Sequence, residues 1–110
     1  MEVYNQEGYI LRIYVREEDR YEKMPLYKKI LEMAKESGLS GATVFRAIMG
    51  YGPSRKIRAI SFADLSSNLP IMIEIVDTKE KINKFLTEIN GLVKHGLITL
   101  QPIVIIKNLP

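Results

Sequence analysis

The sequence contains no cysteine. Disulfide bonds, thiolate catalysis and cysteine-ligated zinc sites are therefore excluded. The same absence is typical of proteins from a reducing compartment, so we expect a cytoplasmic location. The sequence also lacks any run that approaches the roughly 18 unbroken apolar residues of a membrane helix. Residues 1–7 are acidic and polar, unlike a signal peptide, and we expect no membrane insertion.

Charge of one sign is not concentrated anywhere in the chain. The formal net charge is +3, from 16 Lys and Arg against 13 Asp and Glu. Binding of long nucleic acid needs a concentrated basic face, so we expect no nucleic-acid partner. The densest basic stretch, Arg55-Lys56-Ile57-Arg58, is better suited to holding one small anion.

Signatures of catalysis are missing as well. The sequence has no Ser-His-Asp, P-loop or metal-binding spacing, and we can assign no pair of carboxylates to acid–base chemistry. The acidic run at 17–19 is more simply interpreted as a solvated loop. A chain of 110 residues is long enough for one domain and too short for two. The sequence therefore predicts a single domain over 1–110 that is not an enzyme.

Hydrophobic patterning predicts four strands. Residues 8–16 alternate with a period of two, and residues 43–49 are rich in β-branched and aromatic side chains. Residues 71–76 form a third, mostly apolar strand. The last strand covers 97–106, and Pro102 within it indicates an edge strand or a bulge.

Two helices separate these strands. Pro25 suits a first helical turn, apolar side chains then recur every three or four residues, and Gly38 ends the helix. Asp77 and Glu80 have the spacing of a capping box at the start of the second helix, which Gly96 closes. The order β-α-β-loop-β-α-β predicts an α+β fold of the ferredoxin-like βαββαβ kind.

A long loop joins the second and third strands, over about residues 50–70. Connections of this length are usually functional or disordered in a compact domain. The glycines, serines and proline of this stretch leave it little to bury. We therefore expect the 50–70 loop to be the most mobile internal segment of the protein.

One face of the predicted sheet is bare in a monomer, because both helices of this fold cover the other face. Residues 71–76 and 103–106 carry apolar side chains on both faces, and leaving them in water would forgo roughly 1.5–3 kcal/mol each. A contiguous apolar patch marks an interface, so we expect a symmetric homo-oligomer. The alternative is that flanking loops fold over the open face. The polar residues predicted on the open face are Arg12, Tyr14, Arg46 and Glu74.

Three stretches of the sequence resemble a small uncharacterised family of PII-like proteins. They are GATVFRAIMGYG at 41–52, LPIMIEIVD at 69–77 and GLITL at 96–100. The resemblance extends from about residue 8 to residue 106. It implies a ferredoxin-like protomer in a compact homotrimer whose sheets face inward.

The resemblance also implies a function. In the nitrogen-regulatory PII proteins, adenine nucleotides lie between neighbouring subunits, and a long loop between strands two and three signals the bound nucleotide to a target protein. Residues 50–70 occupy the position of that loop, and residues 94–97 occupy that of a shorter loop that contacts the phosphates. The shorter loop of PII carries several glycines and a lysine, whereas residues 94–97 contain a single glycine, Gly96. A mononucleotide, a different anion or no ligand therefore remain open beside ATP.

The leading hypothesis is a PII-like regulatory or ligand-sensing trimer. It would bind an adenine nucleotide at subunit interfaces and signal to a partner protein through the 50–70 loop. The alternative is a trimer that handles divalent cations, as in the similar cation-tolerance proteins. Metal sites prefer histidine and carboxylates, and the composition of the loop favours the nucleotide.

Candidate ligand-binding residues cluster around the start of the 50–70 loop. The backbone amides of Gly50 and Gly52 could approach a phosphate while Tyr51 stacks on a base, although a turn that needs positive φ would explain the glycines equally well. Arg46 interrupts an apolar strand, so it should bind a ligand anion or pair with Glu74 or with an acid of another subunit. The predicted ligand-binding residues are Arg46, Gly50, Tyr51, Gly52, Ser54, Arg55, Arg58, Lys94 and Gly96.

His95 is the only histidine. Beside a helix-closing glycine, it is expected to cap the second helix and complement the helix dipole. The alternative is a ligand or metal role, for which three copies could meet on a trimer axis. Tyr9, Tyr14 and Phe45 could suggest a sheet that stacks RNA bases, but the Gly-Phe-rich signature of such modules is missing, so packing in the core or an interface is the better interpretation.

Overall fold

The structure is a computed structural model that describes residues 6–60 and 68–106. The elements in chain order are β1 (Gln6–Arg16), β2 (Arg20–Tyr21), β3 (Met24–Pro25), α1 (Leu26–Glu36), β4 (Ala42–Arg46), β5 (Met49–Gly50), β6 (Arg58–Ala59), β7 (Pro70–Thr78), α2 (Lys79–Ile89) and β8 (Leu97–Ile105). Strands β4, β7, β1 and β8 form one antiparallel sheet in that spatial order. With the helices after β1 and β7, this is the predicted ferredoxin-like arrangement, and the fold class is confirmed.

The core lies between one face of the sheet and the two helices. The odd-numbered residues of β1 and β7 face the helices, as a strand period of two requires. Ile13 on β1, Ile73 on β7 and Phe85 on α2 are at most 1% exposed. The buried residues that pack together in this cluster are Leu11, Ile13, Val15, Leu26, Ile30, Ala34, Ile71, Ile73, Ile75, Ile82, Phe85 and Ile89.

Helix α1 ends as predicted. Gly38 adopts a φ of 76°, in the left-handed region that a side chain disfavours. The backbone N–H of Gly38 donates to the carbonyl of Lys35, and that of Leu39 donates to the carbonyl of Ala34, both at 3.2 Å. Carbonyls of the last turn are thereby satisfied.

Helix α2 differs from its prediction at both ends. The N-cap is Thr78, whose hydroxyl accepts from the backbone N–H of Lys81, and not Asp77. The helix ends at Ile89, seven residues before Gly96. The predicted closure by Gly96 is therefore wrong, and His95 lies outside the helix and does not cap it.

Asp77 and Gly96 have other structural roles. Asp77 is 3% exposed, and its carboxylate accepts from both the backbone N–H and the hydroxyl of Ser40, at 2.8 Å each. It thus joins the start of α2 to the turn that follows α1. At Gly96, a Cβ would lie 2.2 Å from the carbonyl oxygen of Tyr14. Close approach to β1 therefore requires glycine at this position.

The connection between β1 and α1 is more ordered than the sequence predicted. Strands β2 and β3 pair as a short hairpin, in which Glu22 has a φ of 53°. Asp19 accepts the backbone N–H of Arg16 at 2.9 Å through its carboxylate, and its carbonyl accepts the backbone N–H of Leu26 at 2.8 Å. Asp19 therefore organises a turn, and the interpretation of 17–19 as a merely solvated loop is wrong for this residue.

The 50–70 loop begins with a hairpin. Strand β4 ends at Arg46 rather than at Met49, because the backbone N–H of Ala47 donates to Pro70 and the chain then turns. Strands β5 and β6 pair, and the N–H of Ile60 donates to the carbonyl of Ile48 at 3.0 Å. Residues 61–67 lie outside the described part of the chain, and the predicted mobility of the loop stays a prediction.

The open face of the sheet carries most of its predicted polar residues. Strand register places Arg12, Tyr14 and Glu74 on the face away from the helices, and Arg12 pairs with Glu74 at 3.1 Å. Arg46 is different, because it stands opposite Ile71 and so belongs to the helix side. The prediction that Arg46 shares the open face is wrong. Strand β8, which contains Pro102, is an edge strand as predicted.

Candidate functional site

The candidate site lies at one end of the sheet. Strands β1 and β4 end there, at Arg16 and Arg46, and strands β7 and β8 begin there, at Pro70 and Leu97. The antiparallel topology thus brings the 50–70 loop and the 90–96 segment to the same edge. These are the two segments that the sequence identified as candidate ligand loops.

A clamp of three residues, Glu17, Arg46 and Leu69, holds the base of the 50–70 loop. The Glu17 carboxylate accepts from Nε and Nη2 of Arg46 at 2.7 and 3.2 Å. The same carboxylate accepts the backbone N–H of Leu69 at 3.4 Å, and the backbone N–H of Glu17 donates to the carbonyl of Leu69 at 3.0 Å. Arg46 is therefore paired with Glu17 and not with Glu74, which was the partner within the chain that the sequence suggested.

Asn68 also fixes the 50–70 loop to the end of β1. It is 8% exposed, and its side-chain oxygen accepts the backbone N–H of Glu18 at 2.9 Å. Leu69 beside it is fully buried. Both ends of the 50–70 loop are thus fixed to the end of β1.

A cavity of about 180 Å³, here called the loop cavity, lies between the loop and this base. Five of the predicted ligand-binding residues line it: Gly50, Tyr51, Gly52, Ser54 and Arg58. Arg16 and Lys56 also line it. Lys56 belongs to the basic stretch that the sequence suggested could hold an anion, whereas Arg16 was not predicted. The sequence signal for Arg16 was its position at the end of an alternating strand, directly before the acidic run.

A second cavity of about 350 Å³, here called the Arg16 cavity, adjoins the first. Its lining is Arg16, Gly52, Pro53, Ser54 and His95. Arg16, Gly52 and Ser54 line both cavities, so the two form a continuous surface. His95 is therefore at the candidate site, consistent with the alternative role as a ligand-binding residue.

The remaining predicted residues are placed differently. Lys94 and Gly96 line a third cavity of about 440 Å³, next to the β2–β3 hairpin, which meets the Arg16 cavity at His95. Arg55 lines none of these three cavities; it has a φ of 61°, and its backbone N–H closes a turn by donating to Gly52 at 2.8 Å. The predicted ligand-binding residues therefore lie in two regions, the loop cavity and the third cavity, and His95 lies between them. Arg46 lies in the clamp, and Arg55 lies outside all three cavities.

The two loop glycines do not have positive φ. Among the described residues, Gly38 is the glycine in the left-handed region. A turn that needs positive φ therefore does not explain Gly50 or Gly52. A Cβ at Gly50 would lie 3.1 Å from Cγ of Pro70, so this glycine allows close packing. A Cβ at Gly52 would meet nothing within 4 Å, so packing does not require glycine at this position.

The open face of the sheet borders this site. Tyr14, Phe45 and Leu97 lie on it near the cavities and are 38%, 46% and 57% exposed. In the middle of the face, Arg12 pairs with Glu74 and also donates from Nη1 to the side chain of Gln101 at 2.8 Å. The exposed apolar residues around this network lie at the same end of the sheet as the cavities.

Within residues 6–60 and 68–106, no group of three or more histidines and carboxylates is placed to hold an ion. In the same part of the chain, no helix is long and apolar enough to cross a membrane.

Sequence comparison identifies relatives along most of the chain. The family model DUF190, described as "Uncharacterized ACR", matches residues 8–105. A UPF0166 protein of Aquifex aeolicus is 52% identical over 98 residues, covering 88% of this chain and 91% of that protein. A UPF0166 protein of Methanocaldococcus jannaschii is 44% identical over 92 residues, covering 83% and 84%.

Structural comparison finds PII-like proteins. CPII from Thiomonas intermedia K12, solved with ADP and bicarbonate, has a TM-score of 0.68 at 16% identity, covering 96% of this chain and 93% of that chain. The GlnK–ATP complex of B. subtilis has a TM-score of 0.55 at 17% identity, covering 88% and 82%. At these identities the likeness establishes the fold, which is PII-like.

Proposed function

Because the chain belongs to the DUF190 family and has a PII-like fold, we propose that it is a homotrimeric ligand sensor of the cytoplasm. It binds an adenine nucleotide at the end of the sheet and signals to a partner protein through the 50–70 loop. Its role is regulatory rather than catalytic.

One observation carries this proposal. The loop cavity brings together Gly52, the hydroxyl of Ser54 and the guanidinium groups of Arg16 and Arg58. Hydroxyl and guanidinium donors of this kind suit phosphate oxygens. Tyr51 lines the same cavity and is 64% exposed, so its ring is accessible to a base. The binding of ADP by CPII and of ATP by GlnK supports an adenine nucleotide as the ligand.

The open face supports the proposed assembly of subunits. Tyr14, Phe45 and Leu97 are 38%, 46% and 57% exposed in one protomer, and burying the exposed part of each against neighbouring subunits would contribute a fraction of the roughly 1.5–3 kcal/mol that full burial of a large apolar side chain provides. Since these residues border the cavities, packing through this face places a neighbouring subunit beside the nucleotide. Lys94 and Gly96, in the cavity beyond His95, are proposed to complete the site on that side.

A thermal-shift screen tests the nucleotide. We expect ATP, ADP or AMP to raise the unfolding midpoint, because a ligand specific for the folded state stabilises it by about 2.7 kcal/mol at one hundred times its Kd. Divalent metal ions alone should not raise it. A midpoint that responds to metal ions and to none of the nucleotides would contradict the proposal and favour the cation-handling alternative. Light scattering on the same sample should give three times the chain mass.

A further inference from the structure

The Arg16 cavity has a lining suited to an anion. Its five residues contribute a guanidinium, a hydroxyl and an imidazole, from Arg16, Ser54 and His95, and none of the five is acidic. The adjoining loop cavity adds Lys56 and Arg58. Positive charge from the end of β1 and from the loop therefore converges on one space, and the segment before β8 adds the imidazole of His95.

Arg16 is held in one orientation by Asp19. Nε and Nη2 of Arg16 lie 3.2 and 3.1 Å from Oδ1 of Asp19, while Oδ2 accepts the backbone N–H of Arg16 at 2.9 Å. This contact uses the Nε–Nη2 edge of the guanidinium. In the part of the chain that the structure describes, Nη1 makes no hydrogen bond, so the outer Nη1–Nη2 edge remains available to an oxyanion. A planar fork that is already fixed loses less freedom when it binds.

We propose that the Arg16 cavity binds a phosphate-type oxyanion within a single protomer, with Arg16 as the principal ligand-binding residue. The outer edge of the Arg16 guanidinium donates to two oxygens of the anion, and the Ser54 hydroxyl and the His95 imidazole contact the others. The inference rests on the proposed function in taking this anion to be the terminal phosphate of the nucleotide. The base and the inner phosphates would then lie in the loop cavity and the terminal phosphate in the Arg16 cavity, since the two cavities share Gly52 and Ser54.

Gly52 lies on the path between the two cavities. Because a Cβ there would meet nothing within 4 Å, substitution by alanine should not disturb the fold. Gly41 offers a matched control, since a Cβ at Gly41 also meets nothing within 4 Å, and it lines neither cavity. We expect Gly52→Ala to weaken binding of ATP and Gly41→Ala to leave it unchanged, because only the first adds a methyl group where a phosphate would approach.

Titration calorimetry with adenosine, AMP, ADP, ATP and inorganic phosphate tests the inference. For the natural sequence, affinity should rise as phosphates are added to adenosine. In Arg16→Gln, affinity for ATP should fall about tenfold or more, since a charge-assisted hydrogen bond is lost, while affinity for adenosine should not change. Lys84→Gln, an exposed helix substitution with the same change in net charge, should behave as the natural sequence.

Arg16→Lys provides a second variant if removal of the guanidinium prevents folding. It keeps the charge beside Asp19 but lacks the planar fork, so ATP affinity should fall less than in Arg16→Gln and remain below that of the natural sequence. Unchanged ATP affinity in both Arg16 variants would overturn the inference.

The outcomes separate this inference from the proposed function. Equal ATP binding by Arg16→Gln and the natural sequence would overturn the Arg16 subsite while leaving a nucleotide sensor intact. Binding of inorganic phosphate that depends on Arg16, with no added affinity from adenosine, would support the subsite and contradict the nucleotide. Competition between phosphate and ATP for one site, lost in Arg16→Gln, would support both.

Discussion

Glu17 and Arg46 are 29 residues apart in the sequence and form a two-point contact at the base of the 50–70 loop, with the Glu17 carboxylate 2.7 Å from Nε and 3.2 Å from Nη2 of Arg46. Their side chains are 28% and 44% exposed, so the pair is only partly shielded from water. The same carboxylate accepts the backbone N–H of Leu69. One side chain therefore connects the end of β1 to both ends of the loop, close to the proposed ligand.

Glu17→Gln should loosen the attachment of the 50–70 loop to the end of β1. The amide keeps the shape but loses the charge, and the expected loss of stability is at most about 1 kcal/mol for a partly exposed pair. Hydrogen exchange should accelerate at residues 47–50 and 68–70 more than in the core strands. Glu7→Gln is the control, because Glu7 pairs with Lys79 at 3.2 Å on the surface. Equal exchange at the loop base in both variants would contradict the role of the clamp.

Asp77 should make stability depend on acidic pH. Burial alone would raise the pKa of this carboxyl, but hydrogen bonds from the amides of Ser40 and Thr78 and from the Ser40 hydroxyl, together with the charge of Lys81, lower it below its ordinary value. A lowered pKa in the folded state contributes stability at pH values above the unfolded pKa, and that contribution is lost as pH falls through the folded value.

Urea unfolding at pH 7 and at pH 3 measures this effect. Asp77→Asn should lose about 1–3 kcal/mol at pH 7, since the buried donors of Ser40 and Thr78 lose a charged acceptor. The difference between the variant and the natural sequence should shrink at pH 3. Glu80→Gln, at an exposed position in the first turn of α2, serves as a control. A difference that is the same at both pH values would show that the Asp77 charge is not responsible.

Gly96→Ala should destabilise the fold. The added Cβ would lie 2.2 Å from the Tyr14 carbonyl oxygen and 2.9 Å from Cγ1 of Val93, so β8 or the preceding segment must move. Overpacking of this kind costs about 1–3 kcal/mol. Gly91→Ala in the same segment is a matched control, because a Cβ there meets nothing within 4 Å. Equal unfolding midpoints for the two variants would mean that Gly96 is not required for packing.

These residues also indicate what the sequence alone could predict. Alternation placed β1 and β7 correctly, because both strands have one buried face and the pattern depends on local periodicity. Gly38 was recognisable as a helix end because its left-handed conformation is a local requirement. Gly96 was misread as a second helix end. Its requirement comes from Tyr14 on another strand, which no local pattern reveals.

For the candidate site, too, the sequence indicated the residues of one continuous run but not those that distant segments bring together. Gly50, Gly52 and Ser54 stood out because loop glycines and serines next to basic residues are visible as a run, and they do line one cavity. Arg16 was missed because its contribution depends on the end of β1 meeting the loop in space. The partner of Arg46 was missed for the same reason, since Glu17 lies on a different strand end.

Phe45 offers a test of assembly through the open face. It is 46% exposed in a protomer, so Phe45→Asp should leave the protomer folded while placing a charge where neighbouring subunits would bury it. Light scattering should then give the mass of one chain. Val104 on the helix side of β8 is 52% exposed, and Val104→Asp should keep the oligomer. A trimer that persists in Phe45→Asp would place the interface elsewhere.

The 50–70 loop should respond to the ligand if the protein is a sensor. A ligand shifts a conformational equilibrium only through different affinities for the two states, so nucleotide binding must favour one arrangement of the loop. Arg58 and Ser54 line the loop cavity and would close on the phosphates, which should slow hydrogen exchange across residues 50–60 at saturating nucleotide. Arg58→Ala should reduce this protection, whereas Lys84→Gln on α2 should not. Exchange that stays unchanged at saturation would end the sensor role of this loop, even if the nucleotide binds, because an arrangement that binding does not alter carries no signal to a partner.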